Sequence, residues 1–148
     1  MFRTPVMLVA ATAALAGCTQ PGQLAVTDAW VRLAAVPGRP AAGYFTIRGG
    51  PTDATLLSAA TDAAVRTELH ESMAAMNGGM TMDAIRSVAV PAGQQVRFAP
   101  GGKHAMLFDV NPAIKPGATI TLTFTFADAT RIEQKAQVLA AGDPAPAG

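Results

Sequence analysis

Two histidines and five methionines crowd into one stretch of the chain. His70 and His104 are the only histidines, and Met73, Met76, Met80, Met82 and Met106 fall in the same interval. The other two of the seven methionines are Met1 and Met7. Core packing would scatter methionine, a flexible gap-filler, through every element. Imidazole and thioether are neutral donors, and soft sulfur selects Cu(I), whereas carboxylate and water suit hard cations. Thioethers do not titrate, so only the two imidazoles must shed a proton to bind. Met80-Thr81-Met82 and His104-Ala105-Met106 each carry two donors at a spacing of two. On a strand that spacing puts both on one face, about 7 Å apart. If these strands are neighbours, a metal sits above their shared face, and His70 at the end of a third strand completes it. Met73 and Met76, three apart, fit instead one apolar stripe on a helical turn over Ser72–Met76; Met80, Met73 and Met76 are the candidates for accessory ligands.

The elements that must position these groups are strands. Apolar runs of strand length recur at Leu24–Leu33, Ala41–Arg48, Thr55–Ala60, Ala64–His70, Met80–Ile85, Gln95–Phe98, His104–Val110, Thr119–Phe126 and Arg131–Leu139. In Thr119–Phe126 every second side chain is apolar and the others are threonine, the pattern of a half-buried strand. Proline and glycine punctuate the runs at Pro37-Gly38, Gly49-Gly50-Pro51, Pro91-Ala92-Gly93, Pro100-Gly101-Gly102 and Pro116-Gly117. No convincing helix of useful length interrupts them. The pattern predicts an all-β, antiparallel β-sandwich, with Trp30 and Tyr44 as core residues. Half of the 148 residues are hydrophobic and 14% are charged, which excludes a disordered chain. A net charge of +1 leaves no basic field for a polyanion, so nucleic acid is not an expected partner.

The first residues read as an address. Arg3 precedes an uncharged apolar run over Val6–Ala16, too short to cross a bilayer, which takes about 20 residues. The run ends in Leu15-Ala16-Gly17-Cys18, and Cys18 is the only cysteine. This resembles a bacterial lipobox, which implies cleavage after Gly17, lipidation of Cys18 and a lipid anchor on the periplasmic side of an inner or outer membrane. The expected organisation is a signal peptide over 1–17, lipidated Cys18 and a short linker over 18–23, a sandwich domain over 24–139, and a disordered tail over 140–148. With Cys18 acylated, the domain has no thiol for a disulfide or a thiolate metal site.

His70, eleven residues, Met82, twenty-one residues, His104, one residue and Met106 form a pattern that resembles the periplasmic copper chaperones of the PCu(A)C family. The resemblance extends through Asp28-Ala29-Trp30-Val31-Arg32, Ala41–Ile47 and Glu68-Leu69-His70-Glu71, covering about Leu24 to Leu139. It implies a cupredoxin-like Greek-key sandwich in which His70, Met82, His104 and Met106 hold one Cu(I). It further implies a non-enzymatic carrier that delivers copper to the CuA subunit of cytochrome oxidase or to a Sco-type assembly factor. Glu71 stands where many members have methionine, and the tail lacks the His- and Met-rich extension that binds a second copper in some. Other chemistries lack their residues. A blue-copper site needs a Cys thiolate, and an HExxH zinc site needs histidine at position 74, which is Ala74. No G-x-S-x-G elbow occurs. The reading from a different class is an adhesion or assembly lipoprotein without a metal, which leaves the His/Met clustering without a cause.

Overall fold

A computed structural model describes residues 22–147, which form ten strands and contain no helix. The expected leader, Cys18 and the linker up to Pro21 lie outside the described residues. In chain order the strands are β1 (Ala25–Arg32), β2 (Ala41–Arg48), β3 (Ala54–Ala60), β4 (Ala64–Ala74), β5 (Met80–Ala84), β6 (Val88–Val90), β7 (Gln95–Phe98), β8 (Lys103–Val110), β9 (Thr119–Phe126) and β10 (Arg131–Leu139). They join in one sheet in the order β5-β4-β8-β2-β1-β10-β9-β3-β6, with β7 also pairing β2. The sheet folds over on itself into a sandwich. Phe45 of β2 stacks on Phe98 at 4.2 Å and meets the edge of Phe124 of β9 at 4.5 Å, although β1 and β10 separate β2 from β9 in the sheet. Inward residues of both halves, including Leu56, Leu107, Leu122 and Val138, close one core around these rings.

Three expectations about elements change. The sandwich is not wholly antiparallel: β1 and β10 run parallel over Trp30–Arg32 and Gln137–Leu139. No hairpin joins these two strands, so no tight turn imposes opposed directions on them. Val88–Val90 forms a strand against β3 that is too short for alternation to announce it. The helical turn over Ser72–Met76 is absent. β4 continues to Ala74, and Ala75–Gly79 form a hairpin turn, with Ala75 N–H donating to Gly79 O (2.8 Å) and Gly79 N–H to Asn77 Oδ1 (3.1 Å). Asn-Gly favours such turns because glycine takes positive φ freely, and Gly78 sits at φ 81°. Beyond β10, the segment expected to be disordered begins with a turn, Asp143 N–H donating to Ala140 O, and Arg32 donates to Asp143 O at 3.0 Å.

A one-residue bulge in β1 decides what stands beside the histidines. The β1–β2 register shifts between Thr27 and Trp30, where Asp28 adopts φ 54°, a conformation that aspartate tolerates better than most residues. Before the bulge Val26 pairs with Ile47 in the core; after it Val31, opposite Gly43, takes the inward position. Trp30 and Arg32 are thereby turned to the outer face, Trp30 opposite Tyr44. Trp30 and Tyr44 are buried as expected, but with Leu139 in a cluster apart from the main core.

Phe45→Ala removes the ring that joins the two layers and should cost about 3–5 kcal/mol in urea unfolding of the domain from Thr19 onward. A loss below about 1 kcal/mol would contradict its central place.

Candidate metal centre

Strand pairing carries both histidines and three of the five methionines to one face. Directly opposed residues of an antiparallel pair share a face, and positions two apart on a strand do too. β4 and β8 pair His70 with His104 and Glu68 with Met106, while β4 and β5 pair Ser72 with Met82 and Ala74 with Met80. His70, Met82, His104 and Met106 therefore lie on the outer face of three adjacent strands. The alternate positions Leu69, Ala105 and Leu107 enter the core. Exposure rises outward from the histidines: His104 is 6% exposed and Met106 half-buried, while Met82 on the edge strand is 59% exposed. The two imidazoles lie 6.0 Å apart between centroids, with 29° between their planes. Of the accessory methionines, Met80 shares this face. Met73 pairs with Thr81 on the other face, and Met76 sits fully exposed in the hairpin turn.

Hydrogen bonds set which nitrogen of each ring is free. His104 Nδ1 lies 3.0 Å from Gly102 O, and a carbonyl can only accept, so Nδ1 carries the proton and Nε2 keeps its lone pair. His70 Nε2 lies 3.0 Å from Glu68 Oε2. The ionised carboxylate also only accepts, so in the neutral ring Nε2 carries the proton and Nδ1 the lone pair. That Nδ1 is buried without a hydrogen-bond partner. An unsatisfied buried polar atom costs about 1–3 kcal/mol, so it calls for a ligand or a role. Glu68 is itself held by Arg66. The hydrogen bond from His70, foremost, and the charge of Arg66 keep its carboxyl below the usual carboxylate range against some desolvation. Orientation of a metal-binding imidazole by a carboxylate or carbonyl on its other nitrogen is the usual arrangement in metal sites.

Glu68 and the Gly102 carbonyl were not among the expected site residues. Glu68 had a readable signal: it stands two positions before His70, hence on the same strand face. Tyr44, expected as a core residue, is the neighbour of His104 on the other side. Its ring lies 6.5 Å from His104 and 4.4 Å from Trp30, over which the Arg32 guanidinium sits at 4.9 Å. Burial pushes the Tyr44 phenol up, with Arg32 opposing, so the hydroxyl stays neutral. Among the described residues no three His, Cys, Asp or Glu side chains converge to hold a metal.

In mildly alkaline buffer, nitrogen NMR of the metal-free domain should find His70 as the Nε2–H tautomer and His104 as the Nδ1–H tautomer. Glu68→Ala should mix the His70 tautomers, Glu68→Gln should restore Nε2–H through its amide oxygen, and neither should alter His104. An unchanged His70 signature in Glu68→Ala would remove the orienting role of Glu68.

The comparisons with known proteins agree with this architecture. Residues 24–138 match the family described as "Putative lipoprotein LpqE-like". "Putative lipoprotein Lxx21020" of Leifsonia xyli is 35% identical over 118 residues, covering 76% of this chain and 70% of that protein. Among solved structures, the copper-bound PCuAC domain from PmoF2 superposes with a TM-score of 0.65 at 21% identity, covering 80% of this chain and 94% of that one. The Cu(I) form of DR1885 from Deinococcus radiodurans gives 0.62 at 24% identity, covering 84% and 83%. The apo PCuAC domain from PmoF1 gives 0.66 at 23% identity, covering 82% and 97%. The domain thus has the cupredoxin-like fold of PCuAC domains, and the chain belongs to the LpqE-like lipoprotein family.

Proposed function

We propose that this protein is a Cu(I) carrier, lipid-anchored through Cys18 on the outer side of a bacterial plasma membrane or on the outer membrane. It holds one copper ion with His70 Nδ1, His104 Nε2 and the thioethers of Met82 and Met106, and it does no chemistry on a substrate. The observation that carries this reading is the partnerless, buried Nδ1 of His70, held in its tautomer by Glu68 and set opposite His104. The fold shared with copper-bound domains supports the cargo. Four neutral ligands leave the ion its single positive charge and add no anionic donor to retain it.

Transfer proceeds by ligand exchange. Met82 lies on the exposed edge strand and leaves first to a donor group of the acceptor, while the imidazoles keep hold from the floor of the site. Copper then passes without release to solvent. The acceptor is a copper protein at the same membrane, of which the CuA subunit of cytochrome oxidase and a Sco-type assembly factor are the proposed cases.

Chelator competition on the domain from Thr19 onward should show stoichiometric Cu(I) binding. His104→Ala and Met106→Ala should each weaken it more than tenfold, which is about 1.4 kcal/mol, and Glu68→Ala by about 10–100-fold. Met73→Ala, on the opposite face, should leave it unchanged. X-ray absorption should find a mixed sulfur and nitrogen shell. Unchanged affinity in His104→Ala and Met106→Ala, or an oxygen-only shell, overturns the assignment.

A further inference from the structure

Among the described residues the β4–β5 hairpin carries four of the seven exposed large hydrophobic side chains, and the proposed copper site uses only its base. Ser72–Met82 contains four methionines and no charged residue in eleven positions. Met73 is nearly half exposed, Met80 and Met82 more than half, Met76 fully so, and every residue of β5 is exposed. Soluble domains seldom leave a contiguous apolar projection uncovered without a partner for it.

Register places this projection. β2 runs from Ala41 to Arg48, where Arg48 pairs with Ala25, the first residue of β1. β4 is antiparallel to β8, and β8 antiparallel to β2, so β4 and β2 run the same way. Extending the β2–β8 register puts Tyr44 beside His104, which the 6.5 Å ring separation bears out, and His104 opposes His70. Four residues beyond His70, Ala74 is level with Arg48 and Ala25. The turn at Met76 lies about 7 Å further on, at about 3.4 Å per residue. The hairpin tip and the start of β1 thus mark the same end of the sandwich. Cys18 precedes Ala25 by seven residues, a tether of at most about 25 Å. The exposed side chains of Arg48 and Arg97 stand at this end, and neither is in an ion pair among the described residues. Asp53 and Asp128, also on loops at this end, are already engaged: Asp53 accepts from Ala92 N–H of the β6–β7 loop, and Asp128 from Thr130 N–H in its own turn.

We infer that the methionine hairpin is a membrane-contact surface: in the anchored protein Met76 and its neighbours rest in the headgroup region of the bilayer, with Arg48 and Arg97 over anionic lipid. An uncharged apolar tip beside exposed basic groups is what an anionic interface accepts. The contact makes a two-point attachment of a single lipidated cysteine, and it fixes the copper site at a height of about 20 Å, six residues of strand above the tip. The inference rests on the lipid anchor of the reading above and not on its copper ligands.

The test uses the full lipidated chain in phosphatidylethanolamine–phosphatidylglycerol vesicles, with a spin label on Met76→Cys and, separately, on Val36→Cys. Val36 is exposed in the β1–β2 loop at the opposite end. Mass spectrometry confirms acylation at Cys18, so each label reports one site. The label at 76 should be oxygen-accessible and shielded from a water-soluble nickel relaxant, while the label at 36 should be open to nickel. With Cys18 acylated, a label at 76 as nickel-accessible as that at 36 overturns the inference and leaves the anchor standing. A label at 76 shielded only when a membrane copper protein is added assigns the hairpin to that partner and also overturns it. An unacylated Cys18 overturns the anchor and the inference together.

Discussion

The register between β4 and β8 is the constraint on which the site depends. A strand sends successive side chains to opposite faces, so the residues that go into the core determine which ones are aimed outward. Leu69, Ala105 and Leu107 are buried, and that commitment turns His70, His104 and Met106 to the outside at matched heights. A slip of one residue would turn one of these strands over, bring its histidine inward and lose the burial of its leucine, at about 1.5–3 kcal/mol. The hydrophobic core thus fixes where the two imidazoles and the Met106 thioether stand. A site built this way needs no long-range tether, because the pairing that closes the sandwich also aligns the imidazoles.

Around that register, different devices hold the two rings. His104 is held by the Gly102 carbonyl, immediately before β8 and independent of side chains, whereas His70 is held by Glu68 on its own strand face. Opposite nitrogens are occupied in the two rings, yet each ring keeps one lone pair. The bulge at Asp28 then brings Trp30 outward against Tyr44, completing a row of rings from His70 through His104 and Tyr44 to Trp30 across β4, β8, β2 and β1. This row explains why the aromatic pair is buried but separate from the main core: it walls the site on the β1 side. The tyrosine hydroxyl stays neutral beside the imidazole and adds no competing charge.

Much of this was legible in the chain because it is written in period two. Thr119–Phe126, Gln95–Phe98 and Ala41–Arg48 alternate or lie between proline and glycine, and their bounds read directly. The crowding of His and Met, and the two-residue spacing in Met80–Met82 and His104–Met106, announced a shared face before any pairing was known. What did not read is what depends on neighbours remote in sequence. The parallel meeting of β1 and β10 involves the first and last strands, and no local pattern encodes it. The face of Trp30 is inverted by one bulge residue that composition does not reveal. The helical stripe at Met73 and Met76 gives way to an Asn77-Gly78 turn, a local hairpin signal that the spacing of the two methionines masks. Glu68 was visible as a neighbour of His70 but not as its orienting partner, since that role appears only with the ring's rotamer.

For the proposed carrier, the spread of His70, His104, Met106 and Met82 across strands of unequal stability bears on how it can hold and yield one ion. β4 and β8 are interior strands, each paired on both sides, and their inward residues are part of the core. β5 is the terminal strand of the sheet, five exposed residues paired on one side only. Local opening follows such differences: edge hairpins with few buried contacts open at a small fraction of the global free energy. An imidazole pair on the rigid strands can therefore retain an ion while a thioether on the hairpin comes and goes, and its departure disturbs nothing that the core depends on. Were all four donors on interior strands, release would require opening the sandwich itself. Were all on the hairpin, nothing would define the geometry between visits. In the proposed carrier, division of the four side chains between the two kinds of strand separates retention from exchange within a single domain.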